Sequence, residues 1–291
     1  MPTVKANGVE LYYEDTGAGE PLLLIMGLGS QMVFWDRDFI DDLVARGFRV
    51  IAYDNRDVGL SERLDDLPVP RVGRVLVRAL LRQRVSAPYG LGDMARDAVG
   101  LLDALDIESA HILGVSMGGM IAQIVAIEHT GRVRTLTSIM SHPGDFPSMF
   151  CKPRALRALV SRMPRERDAA IDKYVEMRRA LSGAGFPFEE AGYRDKAAQA
   201  IDRGMYPRGY KRHIAAVAAA RSRLAALRQV SLPALVVHGE ADPLILPRGG
   251  KKTAQALSNA RLRLVPGMGH EMPRPVRAQV ARDIATLAGL A

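Results

Sequence analysis

A serine lies at the centre of a glycine-framed pentapeptide, Gly114–Gly118, with the pattern G-x-S-x-G. An apolar run precedes this pentapeptide and a helix-like run follows it, so the serine is predicted to occupy a tight strand-to-helix turn. Glycines two positions before and two positions after the serine allow strand and helix to approach without a clash of Cβ atoms. Such a turn holds a hydroxyl at the end of a sheet, where a base can reach it. We therefore predict that Ser116 is a nucleophile.

A serine hydroxyl is a weak nucleophile near neutral pH and needs a histidine as base. Of the six histidines, His270 lies in a loop rich in glycine and proline, Pro266–Pro273, between the last predicted strand and the last predicted helix. Sites in open parallel sheets lie in loops at the carboxyl ends of strands, which favours His270 as the base. His142, which follows another predicted core strand, is the alternative.

The histidine needs a carboxylate to orient it. Asp242 follows the apolar run Ala234–Val237 and comes between the serine and the histidine along the chain. The order serine, acid, histidine is typical of a nucleophile on a strand-to-helix turn, which favours Asp242. Glu240 in the same loop and Asp145 after the preceding core strand are the alternatives.

Two backbone amides are predicted to stabilise the oxyanion of a tetrahedral intermediate. One is the amide of Met117, at the start of the helix after the serine. The other is the amide of Leu28, in the glycine-containing loop Met26–Ser30 that follows the first buried strand. A simple glycine turn is the alternative interpretation of that loop.

Alternating strands and helices are predicted to position these residues. Continuous apolar runs such as Pro21–Met26 are typical of strands buried on both faces. Asp93 is predicted to cap a helix whose apolar residues recur at helical spacing. The predicted strands are Val9–Glu14, Pro21–Met26, Phe48–Tyr53, Ala110–Val115, Val133–Met140, Leu232–His238 and Arg261–Val265, and the chain closes with a helix over Pro273–Leu290.

Residues 144–231 interrupt this alternation, because they show only helical patterns broken by prolines. The sequence therefore predicts an α/β fold, with a mostly parallel sheet flanked by helices. We expect a core formed by residues 1–143 and 232–291 and an inserted helical cap formed by residues 144–231.

The chain of 291 residues carries a formal charge of +8, and the excess is unevenly distributed. Residues 144–231 contain 18 Lys and Arg residues against 9 Asp and Glu residues. A second basic stretch, Arg71–Arg84, has five arginines and no acid, at the spacing of an amphipathic helix. No aromatic stacking pattern or nucleic-acid motif accompanies the charge, so a solvated helix face is favoured over a binding surface. Binding of nucleic acid or of an anionic membrane by the basic cap is the alternative.

The remaining signals concern compartment and cofactors. No apolar run approaches the length of a bilayer span, and the first residues lack the apolar core of a signal peptide. The single cysteine, Cys151, has no intrachain partner, which agrees with the predicted cytoplasmic location. No metal or nucleotide motif stands out, so no metal and no cofactor are expected. The sequence carries no signal for the oligomeric state.

The motifs together resemble those of α/β-hydrolases. The segment Asp54–Ser61 is similar to the D-x-R-G-x-G-x-S turn of that family, with Asp57 in place of the usual glycine. Met26-Gly27 stands where the family usually has His-Gly. Both departures, together with the Pro-Gly-Met-Gly-His motif ending at His270, resemble the aclacinomycin (anthracycline) methylesterases and related bacterial carboxylesterases, some of which act on polyesters.

This resemblance implies a serine carboxylesterase that works through an acyl-enzyme, with Ser116, Asp242 and His270 as triad and Leu28 and Met117 as oxyanion donors. The expected partner is a small-molecule or polymeric ester, such as a polyester or the methyl ester of a bulky acid. Cofactor-free haloperoxidases and carbon–carbon bond hydrolases share the triad and are alternatives. A ligand-binding receptor on the same scaffold is a further one.

Four apolar side chains are candidates for the substrate pocket: Trp35, Phe146, Met149 and Phe186. Their apolar character predicts a hydrophobic ester. The alternative for each is a place in the core of the protein.

Overall fold

Residues 2–290 are described by the computed structural model, and they form one eight-stranded sheet with α-helices on both faces. The strands are β1 (Thr3–Ala6), β2 (Val9–Thr16), β3 (Glu20–Ile25), β4 (Phe48–Tyr53), β5 (Ala110–Val115), β6 (Val133–Ile139), β7 (Ala234–Gly239) and β8 (Ala260–Val265). The helices are α1 (Arg37–Ala45), α2 (Val72–Leu80), α3 (Leu91–Ala104), α4 (Met117–Glu128), α5 (Pro153–Val160), α6 (Arg167–Leu181), α7 (Glu190–Arg203), α8 (Pro207–Ala219), α9 (Leu224–Leu227), α10 (Arg248–Ala256) and α11 (Arg274–Ala288).

The strand order is β1-β2-β4-β3-β5-β6-β7-β8. The pairs β1–β2 and β2–β4 are antiparallel, and every pair from β4 to β8 is parallel. The chain leaves β3 to form β4 on one side of it and later forms β5 on the other side. The carboxyl ends of β3 and β5 therefore border a topological switch point, where open α/β sheets bind their ligands.

Alternating side chains of β3 show how the sheet is buried on both faces. Leu23 and Ile25 belong to a cluster that includes residues of α3 and α4. Leu22 and Leu24 belong to a second cluster that includes residues of α1 and α11. Neighbouring side chains of a strand point to opposite faces, so a continuous apolar run is what a sheet covered on both faces requires.

The α/β architecture predicted from the sequence is confirmed, and every strand predicted from Val9 onward is present with ends shifted by at most about two residues, as is usual for such boundaries. The prediction missed β1, an edge strand of four residues. The prediction for Asp93 was wrong in detail. Gly90 precedes α3 as its N-cap, and Asp93 lies inside the first turn, where its carboxylate accepts the Gly90 amide at 2.7 Å.

Between β6 and β7, the described chain contains helices and no strand. A short 3-10 helix, Phe146–Met149, is followed by the five helices α5 to α9. The predicted cap, residues 144–231, falls in this segment. In the part of the chain that the structure describes, no helix is both long and apolar enough to cross a bilayer.

Candidate active site

Ser116 occupies a strained turn between β5 and α4. Its φ is +55° and its ψ is −118°, a backbone conformation that residues other than glycine rarely adopt. The Ser116 amide donates a hydrogen bond to the carbonyl of Ile139 at 2.9 Å, and the Ser141 hydroxyl donates to the Ser116 carbonyl at 2.8 Å. The neighbouring strand β6 and the residues after it thus hold the turn that presents the serine.

The glycines around Ser116 are required by the close approach of backbone segments. A Cβ on Gly114 would collide with the backbone of Gly118, and a Cβ on Gly118 would collide with the carbonyl of Ile25 at the end of β3. The G-x-S-x-G pattern therefore lets α4 begin directly against the ends of two strands.

Three side chains that are far apart in the sequence form one chain of hydrogen bonds. His270 Nε2 lies 3.0 Å from Ser116 Oγ, and His270 Nδ1 lies 2.8 Å from Asp242 Oδ2. With the Nδ1 proton donated to the carboxylate, Nε2 is the lone-pair nitrogen that faces the serine hydroxyl. This arrangement is able to remove a proton from Ser116.

Asp242 is held in place from its other side. Its Oδ1 accepts the amides of Leu244 at 2.8 Å and Ile245 at 2.9 Å, and the residue is buried. Both carboxylate oxygens therefore have fixed partners, so the acid fixes the orientation of the His270 ring.

The alternatives for the base and the acid lie elsewhere. His142 is buried, its Nδ1 accepts the Gly144 amide at 2.9 Å, and burial, with a further contribution from Arg223, lowers its pKa to about 3. Asp145 pairs with Lys252 at 2.5 Å. Glu240 is exposed in the loop after β7. The structure thus brings Asp242 and His270 to Ser116, and it brings none of these alternatives into that chain of hydrogen bonds.

The carboxyl end of α6 fixes the backbone of His270. The His270 amide donates to the Leu181 carbonyl at 2.8 Å, and Arg178 donates to the His270 carbonyl at 3.2 Å. The next residue, Glu271, accepts the amides of Gly183 at 3.0 Å and Gly269 at 3.1 Å. The loop that carries the histidine is therefore bonded to the predicted cap.

The loop after β3 lies beside the serine. A Cβ added to Gly27 would be 3.3 Å from the Ser116 Cβ and 3.8 Å from its Oγ. Among the described residues, no protein acceptor takes the amide hydrogen of Leu28 or of Met117. Within residues 2–290 both amides therefore lack a protein acceptor, and Met117 lies at the amino end of α4, where backbone amides are without helical partners.

A histidine that the sequence did not single out supports this loop. His213 in α8 is fully buried, and its Nδ1 accepts the Gly29 amide at 3.1 Å. Its Nε2 lies 2.9 Å from the Arg56 carbonyl, which fixes the proton on Nε2. Burial lowers the pKa of His213 to about 4, so the ring is neutral and Nδ1 remains an acceptor.

The four predicted pocket residues lie in different surroundings. Trp35 is buried in the core and stacks on Phe39 with ring centroids 6.0 Å apart, which favours an anchoring role for it. Phe146 and Met149 are half-buried in the 3-10 helix after β6. Phe186 is also half-buried and lines a cleft with Met272 and other residues that follow His270.

A family model for the alpha/beta hydrolase fold matches residues 20–273. The chain belongs to this family. A rhodomycin D methylesterase from Streptomyces peucetius is 29% identical to this chain, over 98% of this chain and 97% of that protein. A 2-hydroxymuconate semialdehyde hydrolase from Pseudomonas sp. strain CF600 is 30% identical, over 91% of this chain and 85% of that protein.

Solved structures show the same alpha/beta hydrolase fold. A meta-cleavage product hydrolase from Pseudomonas fluorescens IP01 superposes with a TM-score of 0.78 at 20% identity, over 99% of this chain and 97% of that chain. The family and the methylesterase relative together support the assignment of this alpha/beta hydrolase as a carboxylic ester hydrolase.

The departure of Asp57 from the usual glycine has a structural basis in this alpha/beta hydrolase. Asp57 has a φ of +65°, a conformation that suits the family's glycine and that Asp tolerates better than most residues. Its carboxylate binds Arg212 of α8 at 2.8 Å and the Tyr89 hydroxyl at 2.7 Å, and both charged side chains are fully buried. Asp57 thus joins the core to α8 through Arg212, the residue that immediately precedes His213.

In the described part of this alpha/beta hydrolase, no group of three or more His, Cys, Asp or Glu side chains could hold a metal ion.

Proposed function

We propose that this chain is a serine esterase that hydrolyses a hydrophobic carboxylic ester through an acyl-enzyme. The single observation that carries the proposal is the chain of hydrogen bonds from Ser116 through His270 to Asp242, which starts at a strained turn and ends at a buried carboxylate. In this proposal Ser116 is the nucleophile, His270 the general base and acid, and Asp242 the residue that orients the histidine.

In the acylation half-reaction, His270 Nε2 accepts the proton of the Ser116 hydroxyl while Oγ attacks the ester carbonyl carbon. The carbonyl oxygen becomes an oxyanion, to which the amides of Leu28 and Met117 donate. His270 then returns the proton to the leaving alcohol oxygen as the carbon–oxygen bond breaks. Asp242 stabilises the imidazolium that exists between these two proton transfers.

Water completes the cycle in the deacylation half-reaction. His270 Nε2 removes a proton from water, the hydroxide oxygen attacks the acyl carbon, and the same two amides stabilise the second oxyanion. Collapse of this intermediate breaks the bond to Ser116 Oγ, which takes the proton back from His270. The free acid leaves and the serine hydroxyl is restored.

The substrate that we propose is the ester of a bulky hydrophobic acid, with a methyl ester or a polyester as the specific forms. The methylesterase relative, which aligns over nearly the whole chain, supports the methyl ester. Half-buried aromatic residues in the proposed cap, residues 144–231, are candidates to contact the acid portion, Phe146 and Phe186 among them.

Turnover of p-nitrophenyl acetate and butyrate tests the assignment of the nucleophile. We expect Ser116→Ala to lower kcat by at least about a thousand-fold, because the nucleophile and its base act as a unit. Ser109→Ala is the matched control, since Ser109 immediately precedes β5, at the end opposite to Ser116, and should keep wild-type turnover. Activity that survives in Ser116→Ala would reject the mechanism, as would labelling by phenylmethylsulfonyl fluoride at any residue other than Ser116.

A substrate panel tests the class of ester. It should contain short p-nitrophenyl esters, methyl esters of polycyclic acids, a soluble polyester and 2-hydroxymuconate semialdehyde. The last compound is included because one relative is a hydrolase of that substrate. A higher kcat/KM for the semialdehyde than for every ester would replace the esterase proposal with carbon–carbon bond hydrolysis.

A further inference from the structure

Exposed apolar side chains are concentrated on two helices and the residues beside them. Eight large apolar residues are exposed in the described part of the chain, and six of them lie on or next to α2 and α5. These six are Val77, Leu80, Leu81, Phe150, Leu156 and Val160. Single exposed apolar residues are ordinary, whereas a cluster marks an interaction site.

Contacts with shared neighbours join α2 and α5 into one surface. Val75 of α2 packs in a small cluster with Tyr210 of α8, and the Tyr210 hydroxyl donates to the Leu159 carbonyl of α5 at 2.6 Å. Just after α2, the guanidinium of Arg82 lies 4.0 Å from the ring centroid of Phe146, which precedes α5. We name this region the α2–α5 surface, formed by residues 71–84 and 150–165.

The α2–α5 surface is rich in cations and contains no acid. Residues 71–84 and 150–165 have no Asp or Glu. Their basic side chains are exposed, and in the part of the chain that the structure describes none of them lies in an ion pair. They are Arg71, Arg74, Arg78, Arg82, Arg84, Lys152, Arg154, Arg157, Arg162 and Arg165. Their charge is therefore available to an external anionic partner.

The apolar and basic side chains of each helix occupy adjacent sectors. With about 100° per residue, the exposed Val77 of α2 lies about 60° from Arg74 around the helix, and Leu80 extends the apolar sector on the side away from Arg74, while Val75 is buried. On α5 the exposed Leu156 and Val160 lie beside Arg157 in the same way, while Ala155 and Ala158 are buried. An exposed apolar sector bordered by arginines is the pattern of helices that lie in a membrane interface.

We propose that the α2–α5 surface docks this protein onto an anionic lipid bilayer, with its apolar side chains inserted among the headgroups and its arginines against lipid phosphates. The charge complementarity argues for an anionic partner. The exposed Val77, Leu80 and Leu81 argue for a bilayer over a nucleic acid, because phosphate binding makes no use of aliphatic side chains. The solvated face predicted for Arg71–Arg84 explains the arginines alone and leaves these apolar residues unexplained.

This docking surface is adjacent to the candidate active site. The side chain of Leu28, whose amide is the proposed oxyanion donor, packs against the same cluster as Val75 and Tyr210. A bilayer on the α2–α5 surface would therefore cover the helices that lie over the loop after β3. The proposal does not depend on which ester the enzyme hydrolyses.

Cosedimentation of the full chain with vesicles tests the proposal. The probes are vesicles of phosphatidylcholine alone and vesicles with about 30% phosphatidylglycerol, whose anionic headgroups represent those of a natural anionic leaflet. We expect binding to the anionic vesicles only, and weaker binding at high salt. Arg74→Gln with Arg78→Gln should weaken this binding about 30-fold, from about 1 kcal/mol per cation.

Leu80→Gln with Leu81→Gln separates bilayer docking from attraction to any polyanion. We expect at least a tenfold loss of vesicle binding, because insertion of apolar side chains contributes to the affinity. Arg248→Gln with Arg261→Gln is the matched control, since it removes two exposed cations outside the surface and should change binding less than threefold. Thermal unfolding and p-nitrophenyl butyrate turnover without vesicles check that every variant is folded.

Three results would overturn the proposal. One is the absence of binding to anionic vesicles by the wild-type chain. Another is binding that the Leu80 and Leu81 substitutions leave unchanged, which would assign the surface to polyanions such as nucleic acid. The third is an equal loss in the Arg248 and Arg261 control, which would assign binding to net charge.

Discussion

At the level of single residues, two histidines of the site use opposite tautomers. His270 carries its proton on Nδ1, towards Asp242, and presents the Nε2 lone pair to Ser116. His213 carries its proton on Nε2, towards the Arg56 carbonyl, and presents the Nδ1 lone pair to the Gly29 amide. The first tautomer suits a base and the second suits an acceptor that holds the loop of Leu28 in place. We infer that His213 is a positioning residue.

Two amide replacements of His213 test this role. The side-chain oxygen of asparagine lies near the position of Nδ1, so His213→Asn keeps an acceptor for the Gly29 amide. The amide of glutamine lies near Nε2, so His213→Gln keeps only the bond to the Arg56 carbonyl. Loss of a correctly placed oxyanion donor lowers kcat by about a hundred-fold. We therefore expect His213→Gln to lower kcat by up to about a hundred-fold and to change KM less than threefold. His213→Asn should stay within about tenfold of the wild type.

Steady-state kinetics with p-nitrophenyl butyrate, alongside thermal unfolding, measure both variants. Equal losses of kcat in the two variants, in parallel with equal losses of Tm, would assign His213 to the core and not to the loop.

The sequence predicted some of these residues and missed others for a physical reason. Ser116, Asp242 and His270 each lie next to a recognisable strand, and their order along the chain links them. His213 lies inside a helix, and its partner Gly29 is 184 residues away along the chain. No local pattern distinguishes a histidine that accepts a distant amide from one that fills a core. Its burial and its two hydrogen bonds become visible only in the folded chain.

At the level of elements, a buried ion pair attaches α8 to the core. Asp57 and Arg212 are both fully buried, and the Arg212 guanidinium also donates to the Leu67 carbonyl at 2.9 Å. Two charges taken out of water are stable only when they are paired and hydrogen-bonded. This pair therefore makes the docking of α8 depend on the residue that replaces the family's glycine.

Restoring that glycine should destabilise the protein. We expect Asp57→Gly to lower the free energy of unfolding by about 3–5 kcal/mol, because it leaves the Arg212 guanidinium buried without a counter-ion. Asp57→Gly with Arg212→Met removes both charges and should recover more than half of this loss. Guanidinium chloride unfolding measures each variant.

A solvent-exposed salt bridge serves as the control for this buried ion pair. Arg37 and Asp41 lie one turn apart on α1 with side chains 65% and 57% exposed, so Asp41→Ala should cost less than about 1 kcal/mol. A double variant no more stable than Asp57→Gly would show that α8 is held by its other contacts.

Strands and helices were predictable where their buried side chains produce a regular apolar pattern in the sequence. The continuous apolar runs of β3, β5 and β7 reflect strands covered on both faces, and they were found. In β1 only Ala6 is buried, so this strand has no apolar pattern to reveal it in the sequence. It is stabilised by pairing with β2, which becomes visible only in the folded chain. Asp93 was recognised as a helix-start residue, but its place within the first turn depends on Gly90, which has no side chain to mark the cap.

At the level of the whole molecule, buried neutral histidines make stability depend on pH. Burial lowers the pKa of four of the six histidines: His111, His142, His213 and His238. Below the ordinary histidine pKa of about 6.5, the unfolded chain binds protons at these positions while the folded chain does not. Stability is therefore lost as the pH falls below this value, and the loss at His142 continues until the pH reaches about 3.

Replacement of His142 isolates one contribution. Between pH 7 and pH 5 the wild type should lose about 2 kcal/mol at this position, from about 1.4 kcal/mol per pH unit below the unfolded pKa. His142→Asn keeps an acceptor for the Gly144 amide and cannot titrate. Between pH 7 and pH 5 the free energy of unfolding of this variant should therefore fall by about 2 kcal/mol less than that of the wild type. Urea unfolding at the two pH values measures the difference. The same pH dependence in both proteins would contradict the prediction.

The bonds between the proposed cap and the core have a consequence for engineering. The site is tied to residues 144–231 at three places: Leu181 holds the amide of His270, Arg203 binds the buried Asp54, and α8 supplies Arg212 and His213. A grafted cap would keep the geometry of the site only if it reproduced all three contacts. The place to redesign the substrate range is therefore segment 146–150, which makes none of these three bonds. Segment 184–189 is less suitable, because the Gly185 amide donates to the carbonyl of Gly267 at 3.0 Å, in the loop that carries His270.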